Sequence, residues 1–521
     1  MNLRAPHASS GRALLIAILV AIGANALLYA CKTANPLIGA DAWYFVGTTI
    51  RNAAEGHLGL GDLFAKRSAF DHSQPLRKLV LLFHYRFFDL DFSIEAIVGV
   101  LAAFANLGIM WQIVRPGRHS AHHAVAGCAF AAIAAVYLSL NASVVFDWPL
   151  LTLAFTGHAF VLCFLLACWW AFHGIGARRL ALLAIAAFAM DVVVDDTGLV
   201  ATIAAALAVV LAGLREGGWR RAWPVILTVS ATYLAYALGR HWTIDPTTAP
   251  GNLARADVGA LMQSLWRHMD GARSALLAPF SSAVVHPVQL RSMLGQRAQA
   301  VGVAIGLASL AAHAWFWWCA WRGRRNRAAF VATALMLLFY GLVAGILVVR
   351  VSTHALAYLW QPRYVVIYQL SILALLMMGI SQLGEADEAP AARRRTWPAA
   401  TLACVAIALL ALQVPLSQHS WSGVRYRNAN QQRAALALGT LGRRAAHREL
   451  SAEVLEDCRI HVQCRAEIAR FLKANRLNIF SPAFQARNRL YPDARALPQV
   501  RSGRRGRHVQ NLVEPVLRPD P

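Results

Sequence analysis

The sequence predicts an all-α fold, a polytopic integral membrane bundle of about eleven transmembrane helices. Hydrophobic residues make up 58% of the chain and charged residues only 15%, whereas soluble proteins carry about a quarter charged residues. Long apolar runs recur from Ala13 to Pro415, and a span needs roughly 20 such residues. Backbone groups in lipid must bond to one another, and the alternating segments of a β-barrel are absent from the sequence, so helices are favoured.

Eleven apolar segments are predicted to span the membrane. The fifth and sixth are short and are joined by a tight turn at residues 195–198, so one re-entrant pair is the alternative to two full spans. The predicted spans cover residues 13–30, 93–114, 122–140, 150–172, 179–194, 198–214, 222–239, 298–320, 329–350, 363–383 and 398–415.

The distribution of arginine predicts the orientation. Alternate short loops carry two to four arginines each, whereas the loops 141–149, 195–197 and 351–362 contain no Lys or Arg. The positive-inside rule then places the arginine loops and the N-terminus in the cytoplasm and the C-terminal tail on the outer side. The net charge of +24 is explained by this topology signal and by a basic tail near anionic lipid, so no nucleic-acid partner is predicted.

A bacterial inner membrane is the predicted location, because Arg greatly exceeds Lys and Ala is abundant, as in proteins of GC-rich bacteria. The active face and the tail would then be periplasmic. The predicted parts are a transmembrane domain, 1–415, with long outer loops at 31–92 and 240–297, a small helical tail, 416–492, and a segment rich in Arg, Gly and Pro, 493–521, predicted to be disordered. No motif in the tail indicates catalysis.

Two cysteines of the tail, Cys458 and Cys464, are predicted to form a disulfide, since an outer compartment allows oxidation. Zinc binding by them is not predicted, because the paired-ligand spacing of zinc sites is absent.

The first outer loop holds the leading catalytic candidate. Asp41 directly precedes Trp43, Tyr44 and Phe45, so it could act as a general base beside rings that hold a sugar or a lipid headgroup. An interfacial helix with an aromatic belt is the alternative. Further candidates are polar residues before helix starts, which could bind substrate or merely cap the helices: Asp71 and His72 ahead of Pro75, and Asp147 ahead of Pro149.

A second group of candidates surrounds the outer ends of the ninth and tenth predicted spans. Arginines are disfavoured on this side by the topology rule and therefore need another reason to be there. Binding a phosphate headgroup is one reason, and snorkelling to lipid phosphates is the other. The group consists of Arg350, His354, Tyr358, Arg363 and Tyr364.

The order of these parts resembles the GT-C superfamily of membrane glycosyltransferases, in particular bacterial protein O-mannosyltransferases and lipid A aminoarabinose transferases. The resemblance covers residues 10–415 and includes an acidic residue after the first span, here Asp41. A Pro-Leu helix start at Pro75 and an Arg-Tyr pair at Arg363 and Tyr364 also match. The sequence departs from the pattern in having one acid rather than an acidic pair and in lacking the donor-binding lysines.

The resemblance implies transfer of a sugar from a polyprenyl-phosphate donor to a glycan, lipid or protein, with inversion. Asp41 would be the catalytic base, and Arg363, with Arg350, His354 and Tyr364, would bind the leaving phosphate. Asp71 and Asp147 would position the acceptor or a divalent ion, and His72 would also bind substrate. A divalent cation is the one cofactor left open, and its ligands are unknown.

Two other functions are kept as alternatives. One is a non-enzymatic transporter, flippase or scaffold for envelope assembly, and the other is an O-antigen polymerase or ligase. Transporters often contain inverted repeats, and the sequence has none. Polymerases and ligases usually have their large loop late in the chain. Here the early loop, 31–92, is more aromatic and acidic than the late loop, 240–297, which favours the transferase.

Overall fold

A computed structural model describes residues 7–65, 73–116, 122–243, 269–351, 356–383, 396–444 and 461–493, with isolated positions at 259, 263, 266 and 458. Every regular element in these ranges is a helix. The α-helices are α1 His7–Thr33, α2 Ala42–Phe45, α3 Arg51–Ala54, α4 Leu60–Phe64, α5 Pro75–Phe87, α6 Ser93–Val114, α7 His123–Tyr137, α8 Val144–Asp147, α9 Pro149–Phe172, α10 Ala177–Val194, α11 Asp196–Glu216, α12 Trp219–Thr243, α13 Met269–Ser282, α14 Pro287–Leu294, α15 Ala298–Arg322, α16 Arg327–Gly345, α17 Val365–Ser381, α18 Thr396–Ser422, α19 Val424–Arg444, α20 Val462–Ala474 and α21 Pro482–Asn488.

Nine helices of the described ranges are long and apolar enough to cross a membrane, which makes the chain a multi-pass helical membrane protein. They correspond to nine of the eleven predicted spans. Of the other two, α7 has only 15 residues, about 22 Å of helix against a hydrocarbon core of about 30 Å. The remaining helix, α10, carries Arg178, Arg179 and Asp191 within its 18 residues. The count of eleven therefore stays a prediction.

Short α7 lies at the centre of the bundle, where it contacts α1, α17 and α18. Nearly half of its residues are alanine, and most of these alanines are buried. Small side chains allow close approach of neighbouring helices in a membrane, so α7 serves as a packing core.

The predicted turn between the fifth and sixth spans exists and is very tight. Only Asp195 separates α10 from α11, with φ at 51°. Helix α11 has 21 residues and is itself long enough to span.

The loops rich in arginine meet at one end of the bundle. Arg327 donates hydrogen bonds to the carbonyl groups of Gln112 and Ile113, and Arg215 donates to the carbonyl of Gly323 at 2.8 Å. We call this end the arginine face. Its cytoplasmic location remains a prediction.

The opposite end carries the first long loop and the tail, and we call it the loop face. The backbone N–H of Asn35 donates to the carbonyl of Asp147 at 3.0 Å. The N–H of His286 donates to Asn141 Oδ1 at 2.6 Å. These bonds tie the ends of helices distant in sequence into one layer.

The tail is not a separate appendage, because it shares a hydrophobic core with the first long loop. Leu81, Leu90 and Phe45 of the loop pack in one cluster with Ile468 and Phe484 of the tail. The last spanning helix, α18, continues through Pro415 to Ser422, beyond its predicted end, and α19 follows almost at once. The segment predicted to be disordered, from residue 494 onward, lies outside the described residues.

Candidate functional site

A cavity of about 410 Å³ lies at the loop face, between the bundle, the first long loop and the tail. Four charged side chains line it together with two aromatic rings and three amides. The lining residues are Thr33, Asn35, Leu37, Gly39, Ala40, Ala42, Arg77, Phe92, Glu95, Asp147, Trp148, Pro149, Leu150, Arg427, Asn430, Gln431 and Ala434.

One wall is built around an ion pair between Asp147 and Arg427. Asp147 ends the short helix α8, and Arg427 lies in the first turn of α19 in the tail. Arg427 Nη1 contacts Asp147 Oδ2 and the hydroxyl of Tyr29, and Nη2 donates to Ser143 Oγ at 2.8 Å. Burial raises the pKa of Asp147 from 3.8 to about 6, and Arg427 opposes that rise. The cavity wall therefore holds a carboxyl group whose pKa is about 6, beside a fixed guanidinium group.

A second pair, Arg77 and Glu95, lines the same cavity. The side chain of Glu95 is 0% exposed and that of Arg77 only 4%, and Arg77 Nε lies 3.9 Å from Glu95 Oε1. Neither carboxylate oxygen of Glu95 has a hydrogen-bond partner in the described part of the chain. A buried acceptor without a donor costs about 1–3 kcal/mol, and more when charged. Glu95 is therefore suited to receive donors from a ligand.

The guanidinium of Arg77 is held from several sides. Its Cζ lies 4.9 Å from the centre of the Phe45 ring, and Nη1 lies 3.4 Å from Gln74 Oε1. Phe45 belongs to the aromatic run after Asp41, and its ring supports the cavity wall through Arg77.

Helix α5, which presents Arg77, is fixed at its start. Pro75 is its first residue, as predicted, but the capping position is Gln74, with φ at 53°. The N–H of Ser73 donates to Asp195 Oδ2 at 2.7 Å. The other oxygen of this buried carboxylate accepts from Tyr236 at 2.8 Å and pairs with Arg240.

A buried lysine fixes the first turn of the same helix. Lys78 Nζ donates to the carbonyl groups of Asp62, Leu63 and Ala65, at 2.8, 3.1 and 2.5 Å. The lysine thereby binds the end of α4 to α5.

The leading candidate, Asp41, lies beside the cavity but is not one of its lining residues. Its neighbours Ala40 and Ala42 line the cavity, Ala40 has φ at 47°, and the Asp41 side chain is half-buried. Asp41 precedes α2 without capping it through its side chain. The structure thus brings the Asp41 turn and Asp147 to one cavity.

The described members of the arginine group near the ninth and tenth predicted spans, Tyr358, Arg363 and Tyr364, do not line this cavity. Arg363 lies between two rings, with Cζ 5.1 Å from the centre of Tyr358 and 5.2 Å from that of Tyr364. Its turn, residues 362–364, contacts α8, which carries Asp147. Arg363 and Tyr364 are therefore neighbours of the site.

Other candidates lie wholly or partly outside the described residues. Asp71, His72 and His354 are not described, and only the backbone of Arg350 is, in a helical turn at 346–351. Within the described ranges, no group of three or more His, Cys, Asp or Glu side chains could hold a metal ion. In the tail, Cys458 and Cys464 form a disulfide.

Three of the four charged lining residues were not selected from the sequence: Arg77, Glu95 and Arg427. A signal existed for Glu95, because it falls in the first turn of a predicted span, and an ionisable group there usually faces a cavity. No sequence signal identifies Arg427, because only the packing of the tail against the first loop brings it to Asp147.

The fold and the cavity together define a multi-pass helical membrane protein with a charged pocket at one membrane boundary. Searches against protein-family models and against curated proteins find no match to this chain.

Proposed function

We propose that the chain is a membrane glycosyltransferase that moves a sugar from a polyprenyl-phosphate donor to a glycan, lipid or protein acceptor. The observation that carries the proposal is the cavity at the loop face, where two arginine–carboxylate pairs meet and Glu95 offers buried, unsatisfied oxygens. Its location at the end of several spans suits a donor whose chain stays in the lipid. In the proposed orientation the loop face is periplasmic and the membrane is a bacterial inner membrane.

The chemistry of the lining suits a sugar phosphate. Guanidinium groups bind phosphate oxygens through paired N–H donors, and Arg77 and Arg427 both line the cavity. Carboxylates accept hydrogen bonds from the hydroxyl groups of sugars. The carboxylate of Glu95 has no hydrogen-bond donor among the described residues, so it can accept from such a hydroxyl. Phe92 and Trp148 supply apolar surface for a sugar ring.

The proposed reaction is a single displacement. The acceptor oxygen bonds to the anomeric carbon as the bond from that carbon to the phosphate oxygen breaks, and the configuration inverts. The acceptor proton passes to Asp41, whose side chain is half-buried beside the cavity. The electron pair leaves with the polyprenyl phosphate, and Arg77 and Arg427 stabilise the charge that develops there.

The test uses the full chain in lipid nanodiscs with a panel of radiolabelled sugars on undecaprenyl phosphate and membrane extract as acceptor. We expect label to move from the lipid to an acceptor. Asp41→Asn should lower the rate by about 10²–10⁴, and Glu95→Gln should raise KM. Glu55→Gln, on the exposed face of the same loop, is the matched control and should retain the rate. Transfer at the wild-type rate by Asp41→Asn would remove Asp41 from the mechanism, and movement of intact donor across the bilayer without transfer would favour a flippase.

A further inference from the structure

A second, smaller cavity of about 100 Å³ lies near the arginine face, between four helices. It belongs to the opposite end of the bundle from the proposed active site. Residues from α9, α11, α15 and α16 line it, including Trp169, Arg215, Glu216, Trp317, Trp321 and Arg325.

Arg215 lines this cavity and has one donor without a partner in the described residues. Its Nη2 donates to the carbonyl of Gly323 at 2.8 Å, which caps the end of α15. Its Nε is buried and has no hydrogen-bond partner in the described residues. A guanidinium has five N–H donors, so the capping bond accounts for only part of its capacity, and a buried donor without an acceptor is costly.

Arg325 adds a second positive charge at the rim. Its side chain is exposed, and it forms no ion pair or hydrogen bond with the other described residues. The nearby carboxylate of Glu216 lies 3.6 Å from His173 Nε2. Two guanidinium groups therefore face one small cavity that also contains a single acid.

The remaining walls of the cavity combine an exposed tryptophan with apolar side chains, as expected at a membrane boundary. Trp321 is 55% exposed, and tryptophans of this kind lie at the headgroup level of a bilayer. Leu211 and Phe330 make the inner wall apolar. A ligand here meets positive charge at the rim and apolar side chains further in.

We propose that this cavity binds the phosphate group of an anionic phospholipid from the adjacent leaflet. A cavity of about 100 Å³ that opens at the arginine face has room for a phosphate group. Basic pockets between spanning helices bind anionic headgroups in this way. The proposal is independent of the glycosyltransferase activity, since the two cavities lie at opposite ends of the bundle.

The test is native mass spectrometry of the full chain released from nanodiscs that contain phosphatidylglycerol, cardiolipin or phosphatidylcholine. A further arm adds inorganic phosphate alone. We expect wild-type protein to retain one anionic lipid and Arg325→Gln to weaken retention about fivefold, the effect of one charge near a membrane surface. Arg215→Gln should weaken retention at least as much.

The matched control is Arg220→Gln, an exposed arginine of the same face that does not line the cavity. It should leave retention unchanged. Equal loss with Arg220→Gln, or equal retention of phosphatidylcholine, would overturn the proposal. Displacement of the lipid by inorganic phosphate at the same concentration would also overturn it, because the ligand would then be the free anion.

Discussion

Arg427 of the tail forms an ion pair with Asp147 of the bundle, at the wall of the loop-face cavity. This contact joins the two parts of the chain whose meeting creates the site. Gln431, one turn further along α19, donates to the carbonyl of Thr33 at 2.9 Å and repeats the connection.

Loss of Arg427 should therefore destabilise the protein. Arg427→Gln leaves the largely buried Asp147 without its partner and should cost about 2 kcal/mol, below the range for fully buried pairs because both side chains are partly exposed. Adding Asp147→Asn should recover much of the loss. Thermal unfolding in detergent measures both, with Arg433→Gln, exposed on the same helix, as control. A double variant no more stable than Arg427→Gln would argue against the pair.

The disulfide between Cys458 and Cys464 should hold the start of α20 in the core shared with the first loop. Serine at both positions opens a short covalent loop, and the chain-entropy account gives a loss of about 2 kcal/mol. Limited proteolysis should then cleave the tail faster than in wild type. Cys404→Ser, an exposed free cysteine in α18, should behave as wild type, and equal cleavage of all three proteins would contradict the prediction.

His84 should make the first loop sensitive to acid. Burial lowers its pKa from 6.5 to about 4, with Asp91 opposing the shift and Arg77 adding to it. The unfolded chain binds this proton more readily than the folded chain. The free energy of unfolding is therefore undiminished above pH 6.5 and falls by roughly 3 kcal/mol as the pH drops to about 4.

His84→Leu should remove this loss, measured as the difference in unfolding temperature from wild type at pH 7 and pH 4.5. Asp147 has the opposite effect on stability between these pH values, because its raised pKa favours the folded state at lower pH. Wild type and His84→Leu both contain Asp147, so its contribution cancels in the comparison. His57→Leu, exposed in the same loop, is the control. An unchanged difference between the two pH values in His84→Leu would contradict the prediction.

Asp195 should contribute strongly to the stability of the fold, although it lies in a turn. Its buried carboxylate accepts from Tyr236 and Ser73 and pairs with Arg240. Asp195→Asn should cost about 3 kcal/mol by leaving Arg240 without its charge partner, whereas Tyr236→Phe should cost only about 1 kcal/mol. Equal unfolding temperatures for the two variants would show that the ion pair contributes little.

Much of the architecture follows from the sequence because lipid imposes it. Nine apolar runs were recognisable from length and composition, and the turn at Asp195 from its local polarity. The short helix α7 matches the third predicted span, but a buried alanine-rich helix and a spanning helix look alike in composition, so its crossing stays a prediction.

The site was only half predictable. Asp41 and Asp147 come next to helix starts, where a sequence pattern can identify them. Arg427 reaches the cavity through contacts between residues almost 400 positions apart, such as its bond to Tyr29. No local pattern encodes a contact of that kind.

The central claim is best tested by mass spectrometry of envelope glycans and lipid-linked sugars from a deletion strain. The strain is complemented with wild type, with Asp41→Asn or with the control Glu55→Gln. The account predicts a sugar that disappears on deletion, returns with wild type and with the control, and does not return with Asp41→Asn at equal protein level. An unchanged glycan profile on deletion under several growth conditions would contradict the account.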